Sequence, residues 1–290
     1  MKQINNKTKI LIVGLGLIGG SYAKALTKKG YKVRAITLDS SDIEYAIDKG
    51  FIEDGTTAVT KEYLAWADVI VFSLYPHTFI EWLKKYGSMI KKGTFCTDVT
   101  GVKSCILSDA QALMPEGVEF IAAHPMAGRE RSGVRHSDES VFHGANYIVV
   151  PTEKNSEEAI ECCKKLGEEL GFYRISVLDA ESHDRMIAFL SQLTHCIAVS
   201  LMCTNDTPGF EAYTGDSFRD LTRIAKINGE MWSELFIRNK RFLLDEMDNF
   251  INQFTTLRNM LENEDKDGMC EMMKISTQRR EKFDKPKVNE

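Results

Sequence analysis

The sequence lacks a block of basic charge, a Cys-x-x-Cys pair, a Gly/Ser-rich linker, a low-complexity segment and an internal repeat. Its 37 Lys and Arg are interleaved with 42 Asp and Glu, for a formal charge of -5, so it offers no electrostatic footprint for a polyanion and nucleic acid is excluded as a partner class. Seven cysteines, an odd number without Cys/His ligand spacing, fit a reducing compartment better than a disulfide framework or a metal centre. Cys162 and Cys163 are adjacent, which suits neither a disulfide nor a zinc site, and no metal is expected. The N-terminus runs from a short polar lead into an apolar strand without the regions of a signal peptide, so the chain is expected to start near Met1 and to work in the cytoplasm. The most apolar long window, Met186 to Cys203, is interrupted by Ser191, Gln192, Thr194, His195 and Ser200; it is read as a buried helix, with no membrane partner.

What is present is enough apolar residue, 43% of 290, to give two ordinary domains a core each. From Lys9 to Pro151 short β-branched runs alternate with helical patterns, the signature of a parallel sheet wrapped by helices. The predicted strands are Ile10 to Val13, Lys32 to Thr37, Val69 to Leu74, Thr94 to Thr97, Phe120 to Ala123 and Tyr147 to Val150. Beyond Pro151 come a helix over Ser156 to Leu170, a strand over Tyr173 to Val177, then helices over Ala180 to Cys203, Phe218 to Ile227, Glu230 to Leu261 and Lys266 to Lys282, with a frayed tail from Asp284. The expectation is an α/β chain: a Rossmann-type doubly wound sheet over 1–151, then a mainly α-helical substrate-binding and dimerisation domain over 152–290.

Ile10-Leu-Ile-Val-Gly14-Leu-Gly16-Leu17-Ile18-Gly19 carries GxGxxG spacing directly after an apolar strand and before an apolar-periodic helix. Gly14 permits the tight turn, Gly16 lets amides approach a pyrophosphate, and Gly19 lets helix and strand pack closely. The bland alternative, a glycine-rich structural turn, fits this strand-loop-helix setting poorly. An acidic residue should close the second strand to hold the adenosine ribose of NAD. Thr37 stands there, Asp39 follows two residues on, and the hydroxyls of Ser40 and Ser41 leave a 2′-phosphate open. No arginine follows to clamp one, which favours NAD while keeping NADP possible.

Phe120-Ile-Ala-Ala-His124-Pro125-Met126-Ala127-Gly128-Arg129-Glu130-Arg131-Ser132-Gly133 puts a histidine at the carboxyl end of a strand, where open α/β sheets bind ligands. Histidine suits proton acceptance at neutral pH while hydride leaves the same carbon. The segment resembles the His-Pro-x-Ala-Gly-x-Glu-x-Ser-Gly signature of prephenate and arogenate dehydrogenases. Asp98-Val-Thr-Gly101-Val-Lys103, Ser191-Gln-Leu-Thr-His195 and Ser217-Phe-Arg219-Asp220-Leu-Thr222-Arg223 follow that family's pattern in order, so the resemblance spans nearly the whole chain.

The resemblance implies that His124 accepts the ring hydroxyl proton, that Arg219 binds a substrate carboxylate, and that Ser191, His195 and Trp232 line the substrate pocket with Thr100 and Gly101. It implies that Ser73, Pro76 and Lys103 flank the cofactor and that the chain is a homodimer. Neither a chorismate mutase extension nor an ACT domain has room, so a minimal, monofunctional form is expected. Gly101 departs from the family's usual serine, which is thought to bond the catalytic histidine. Read from the residues alone, His195 among Leu193, Ile197 and Ala198 is better read as a core histidine, which only the resemblance reverses, and Arg219 is equally part of a surface ion-pair network. His136, His143 and His183 are read as structural, His183 near a helix start. Asp98 is read as a strand-end hydrogen-bonding residue.

The leading expectation is NAD(P)-dependent oxidative decarboxylation of prephenate. Arogenate is the alternative substrate, and a catalytically inactive cofactor-binding sensor, suggested by Gly101, is the alternative class. A β-hydroxyacid dehydrogenase of the 6-phosphogluconate type lacks support, because no lysine stands at the required place on the long helix.

Overall fold

The computed structural model describes residues 4–129 and 131–284; Met1, Glu130 of the His124 segment and the tail beyond Asp284 lie outside the described residues. Eight strands form one sheet in the order β3-β2-β1-β4-β5-β6-β7-β8, where β1 is Lys9–Val13, β2 Lys32–Ile36, β3 Asp54–Thr56, β4 Val69–Phe72, β5 Phe95–Asp98, β6 Glu119–Pro125, β7 Asn146–Val150 and β8 Arg174–Val177. The first six are parallel in the doubly wound order. β7 then pairs antiparallel with β6, and β8 parallel with β7. β3 was not predicted: Asp-Gly-Thr carries little apolar signal, and it is held at the edge by pairing with β2.

Burial on both faces explains the unbroken apolar runs. Ile10 and Ile12 of β1 join a core with Tyr22 and Leu26 of α1 (Leu17–Lys28). Leu11 and Val13 face the other side, with Phe79 and Leu83 of α4 (Pro76–Tyr86) and Ile106 of α5 (Ser104–Leu113). Between them lie α2 (Ser40–Asp48), which Asp39 caps by accepting from the Ser41 amide at 2.8 Å, and α3 (Lys61–Trp66). α6 (Glu157–Leu170) starts at Ser156, whose hydroxyl accepts from the Ala159 amide, and stops at Gly171 in the left-handed region (φ 88°). Its Cys162 and Cys163 are buried and, like the other five cysteines, free.

α7 (Ala180–Ile187) runs through a π-helical stretch, Ala188–Leu193, into α8 (Thr194–Thr204). This run, Ala180–Thr204, is the one helix among the described residues long and apolar enough to cross a membrane by length and composition. The expected buried helix is only partly so: 28% of its apolar window is buried, and Phe189, Leu190 and Met202 are exposed. Its inner side carries the buried polar residues His183, Asp184 and Gln192, all hydrogen-bonded to neighbouring elements. α9 (Asp216–Thr222) and α10 (Gly229–Arg238) follow. The helix predicted over Glu230 to Leu261 is two, α10 and α11 (Lys240–Glu262), because buried Asn239 leaves the helix and donates to Asp184 O at 2.9 Å and Gln192 Oε1 at 2.7 Å.

One compact unit ends at Lys240 and the next begins at Arg241. Within the first, β8 and α6 complete the sheet, and the Lys103 and Ser104 amides bond Asp184 of α7. The second unit holds α11 from Arg241 and α12 (Lys266–Glu281), with Phe250, Ile251 and Phe254 exposed along α11.

Candidate active site

The glycine loop has the form that a dinucleotide requires. Gly14 adopts φ 98°, and a Cβ there would strike the Ser73 carbonyl just beyond β4. A Cβ on Gly19 would strike the Gly14 carbonyl, so helix and loop touch only because both lack one. Above Gly16, by contrast, the space is open. α1 begins with no side-chain cap and no acidic residue in its first turn, which leaves the amides about Leu17 and Ile18 to an anion. The residues therefore fit a pyrophosphate. Ser73 is fixed at the end of β4 by its amide bond to Val13 O, and Pro76 is the buried first residue of α4. Thr37 and Asp39 lie just past β2, where the ribose is expected, with the Asp39 carboxylate engaged as helix cap.

His124 sits near the end of β6, half-buried, and its Nδ1 lies 2.9 Å from His183 Nε2. His183 Nδ1 lies 2.7 Å from Asp184 Oδ1. That oxygen also accepts from the Lys103 amide, and Oδ2 accepts from the Ser104 amide, both at 2.8 Å. A carboxylate only accepts, so His183 Nδ1 must carry a proton. Neutral His183 then has its lone pair at Nε2, His124 donates from Nδ1, and the His124 lone pair is left at Nε2. Burial, then the neighbouring His183 and Lys103, hold His124 well below the usual histidine range. Burial also lowers His183 against the pull of Asp184, so both rings are neutral at pH 7. Burial raises the Asp184 carboxyl, but the bonds from His183 and Ser104 outweigh it and the net shift is downward. The arrangement makes His124 Nε2 a pre-set base.

The space beside that nitrogen is bounded by Gly101. A Cβ on Gly101 would lie 3.9 Å from His124 Nε2 and 3.5 Å from both methyls of Leu235 on α10, so no side chain occupies the position of the family's serine. Thr100 beside it is buried, and its hydroxyl bonds Asp98 and Val102 O. Lys103 differs from its expected place beside the cofactor. It is fully buried, and its ammonium meets Asp98 Oδ2 at 2.7 Å, Ala123 O at 2.6 Å and Thr100 Oγ1 at 3.1 Å, using all three of its protons. Lys103 thus ties β5 to the residue before His124.

His195 and Trp232 come together: their rings stack at 3.7 Å and 29°. His195 Nδ1 donates to the Ser191 carbonyl at 2.9 Å, fixing the ring on the helix that carries both. Trp232 lies one turn before Leu235, whose carbonyl accepts from Gln192 at 3.0 Å, so α10 joins this pair to the wall beside His124. Arg219 is exposed and bonds Asp216 and the Thr214 carbonyl; none of its bonds among the described residues reaches the histidines. No group of three metal-capable side chains is found among the described residues.

Residues 22–175 match the family model "Prephenate dehydrogenase, nucleotide-binding domain", and residues 179–275 match "Prephenate dehydrogenase, dimerization domain". The chain belongs to the prephenate dehydrogenase family. It is 32% identical to prephenate dehydrogenase of Bacillus subtilis over 93% of this chain and 74% of that one. It is 28% identical to cyclohexadienyl dehydrogenase of Zymomonas mobilis over 93% and 94%. Among solved structures, prephenate dehydrogenase of A. aeolicus in complex with hydroxyphenyl propionate and NAD+ superposes with a TM-score of 0.88 at 29% identity, covering 98% of this chain and all of that one. Synechocystis arogenate dehydrogenase gives 0.80 at 25% identity, covering 96% and 100%.

Sequence reasoning did not bring His183, Asp184, Gln192 or Leu235 to the neighbourhood of His124. The one local signal was the His183-Asp184 pair opening a helix capped by Asp179, which accepts from the Ser182 amide at 2.9 Å. Nothing in the sequence tied that pair to a histidine 59 residues earlier.

Proposed function

We propose that this chain binds NAD and oxidatively decarboxylates prephenate to 4-hydroxyphenylpyruvate, as a cytoplasmic homodimer. The observation that carries the reading is the Asp184-His183-His124 line, which leaves the unprotonated Nε2 of His124 at the carboxyl edge of a nucleotide-binding sheet. Bound NAD would supply the hydride acceptor. His124 Nε2 takes the proton of the ring C4 hydroxyl as hydride leaves C4. Loss of the ring carboxylate as carbon dioxide then sends its electron pair through the dienone to the C4 oxygen, and His124 returns the proton there. Aromatisation makes the sequence irreversible, and His124 ends as it began.

The remaining roles rest on the family pattern. His195, Trp232 and Ser191 form the substrate wall, and Arg219 binds a substrate carboxylate by turning from Asp216 to the bidentate geometry that a guanidinium favours. The exposed Phe250, Ile251 and Phe254 of α11 and the match to a dimerization domain support a dimer formed through the helical segment of a 1–151 plus 152–290 division. Similarity to a cyclohexadienyl and an arogenate dehydrogenase makes arogenate the second substrate to test.

The test is a matrix of NAD or NADP against prephenate or arogenate, reading reduced nicotinamide absorbance, with His124→Asn as control. Turnover with prephenate that vanishes in His124→Asn is the expected result. Turnover with arogenate alone would move the assignment to that substrate, and cofactor binding without turnover would replace the enzyme with a sensor.

A further inference from the structure

The loop that leaves β6 crosses the outer side of α1. Ser137 Oγ bonds the Leu17 carbonyl at 3.1 Å, the Asp138 amide bonds Ser21 Oγ at 3.0 Å, and a Cβ on Gly20 would strike Ser137. Over α1 this loop borders an open pocket of about 670 Å³ whose described lining is Lys24, Arg129, Arg131, Arg135, His136, Ser137 and Asp138. Two of the cations are neutralised locally: Lys24 pairs with Glu139 at 2.8 Å and Arg129 with Asp138 at 2.9 Å. Arg131 and Arg135, both exposed, have no ion-pair partner among the described residues.

Arg135 is not loose. Its guanidinium lies over the ring of Tyr45 in α2, 4.7 Å from the centroid. It is also near the start of that helix. The Asp39 carboxyl lies below its ordinary value, first because the Ser41 amide and hydroxyl donate to it and last because Arg135 is close. Burial and Asp39 raise the Asp42 carboxyl, against Arg135. The segment between β2 and α2 is where a doubly wound sheet holds the adenosine ribose, and an arginine there accommodates a 2′-phosphate. The hydroxyls of Thr37, Ser40 and Ser41 line the same segment, and the Asp39 carboxylate, already bonded to the Ser41 amide, is turned to its own helix.

We propose that Arg135, assisted by Arg131, is a binding site for the 2′-phosphate of NADP, so that the chain accepts NADP as well as NAD. The clamp arrives from the loop after the catalytic strand and not from the segment after β2. The proposal rests on the dinucleotide reading above and adds a specificity-determining residue to it.

The test uses nucleotide fragments on the full chain, so that it does not depend on turnover. Calorimetry would compare 5′-ADP, 2′,5′-ADP and 3′,5′-ADP in the parent, Arg135→Ala and Arg135→Lys. The expected result is that the parent binds 2′,5′-ADP at least as tightly as 5′-ADP. Arg135→Ala should weaken 2′,5′-ADP roughly 10- to 100-fold, the scale of a lost charged hydrogen bond, and 5′-ADP by less than about threefold. Arg135→Lys should restore part of the difference. A parent preference for 5′-ADP, equal weakening of both fragments in Arg135→Ala, or equal binding of the 2′ and 3′ phosphates would overturn the proposal. Binding of none of the three would overturn the dinucleotide reading with it, which separates the two failures.

Discussion

Replacing His183 tests the central inference, that His124 is a base because another histidine fixes its tautomer. His183→Phe keeps a planar ring in a site with no exposed surface but removes the acceptor of the His124 Nδ1 proton, 2.9 Å away. Asp184 stays satisfied, since its oxygens keep the Lys103 and Ser104 amides. The loss therefore falls on His124, whose buried N–H is left without a partner at about 1–3 kcal/mol, unless the ring turns or changes tautomer and surrenders Nε2 as the base. Either way kcat should fall roughly 5- to 150-fold, while fragment binding at the glycine loop is unchanged. His183→Gln, which restores an oxygen acceptor, should recover part of kcat. The pH profile gives a second readout. Burial and His183 both hold His124 low, so the acid limb of the parent should lie well below pH 6.5, and losing His183 should move it upward. A folded His183→Phe enzyme with kcat within about twofold of the parent and an unmoved acid limb would refute the reasoning.

Lys103→Met should cost about 3–5 kcal/mol in denaturant unfolding, because it strands the Asp98 carboxylate in a site without solvent access; a loss below about 1 kcal/mol would show that the pair is not buried as described. Gly101→Ser should be tolerated, since the added Cβ meets only ordinary contacts at 3.5 and 3.9 Å, and a hydroxyl in reach of His124 Nε2 should leave kcat unchanged or raise it by up to about tenfold, readable by steady-state kinetics. Stability should fall on mild acidification. His124 and His183 titrate lower in the folded chain than unfolded, so their contribution is complete above the unfolded value near pH 6.5 and is lost as pH falls, with a slope of up to about 2.7 kcal/mol per pH unit for two protons. Removing one histidine in His183→Phe should roughly halve that slope in pH-dependent unfolding.

The fold was largely legible because its signals are local. Strands β1, β4 and β7 are short apolar runs buried on both faces, and α6 opens on Ser156 and closes on Gly171, so each element could be read within its own span. The breaks that sequence did not reveal have distant causes. Asn239 interrupts what reads as one amphipathic helix because its side chain is drawn to Asp184 and Gln192, 55 and 47 residues earlier, and no propensity at Asn239 encodes those partners. The candidate site divides the same way. The glycine loop and His124 were visible because each declares its chemistry by spacing or by position at a strand end. Arg135 was not, because a phosphate clamp is expected just past β2, whereas the guanidinium over Tyr45 comes from the loop after β6. His183 was read as structural near a helix start, and its link to His124 was not legible for a related reason: a buried histidine there is satisfied by any acceptor, and here Asp184 satisfies one nitrogen while the other bonds His124. A histidine with both nitrogens committed inside the fold cannot itself take a proton from substrate. Its chemical effect is exerted through His124, and only the geometry across β6 and α7 shows it.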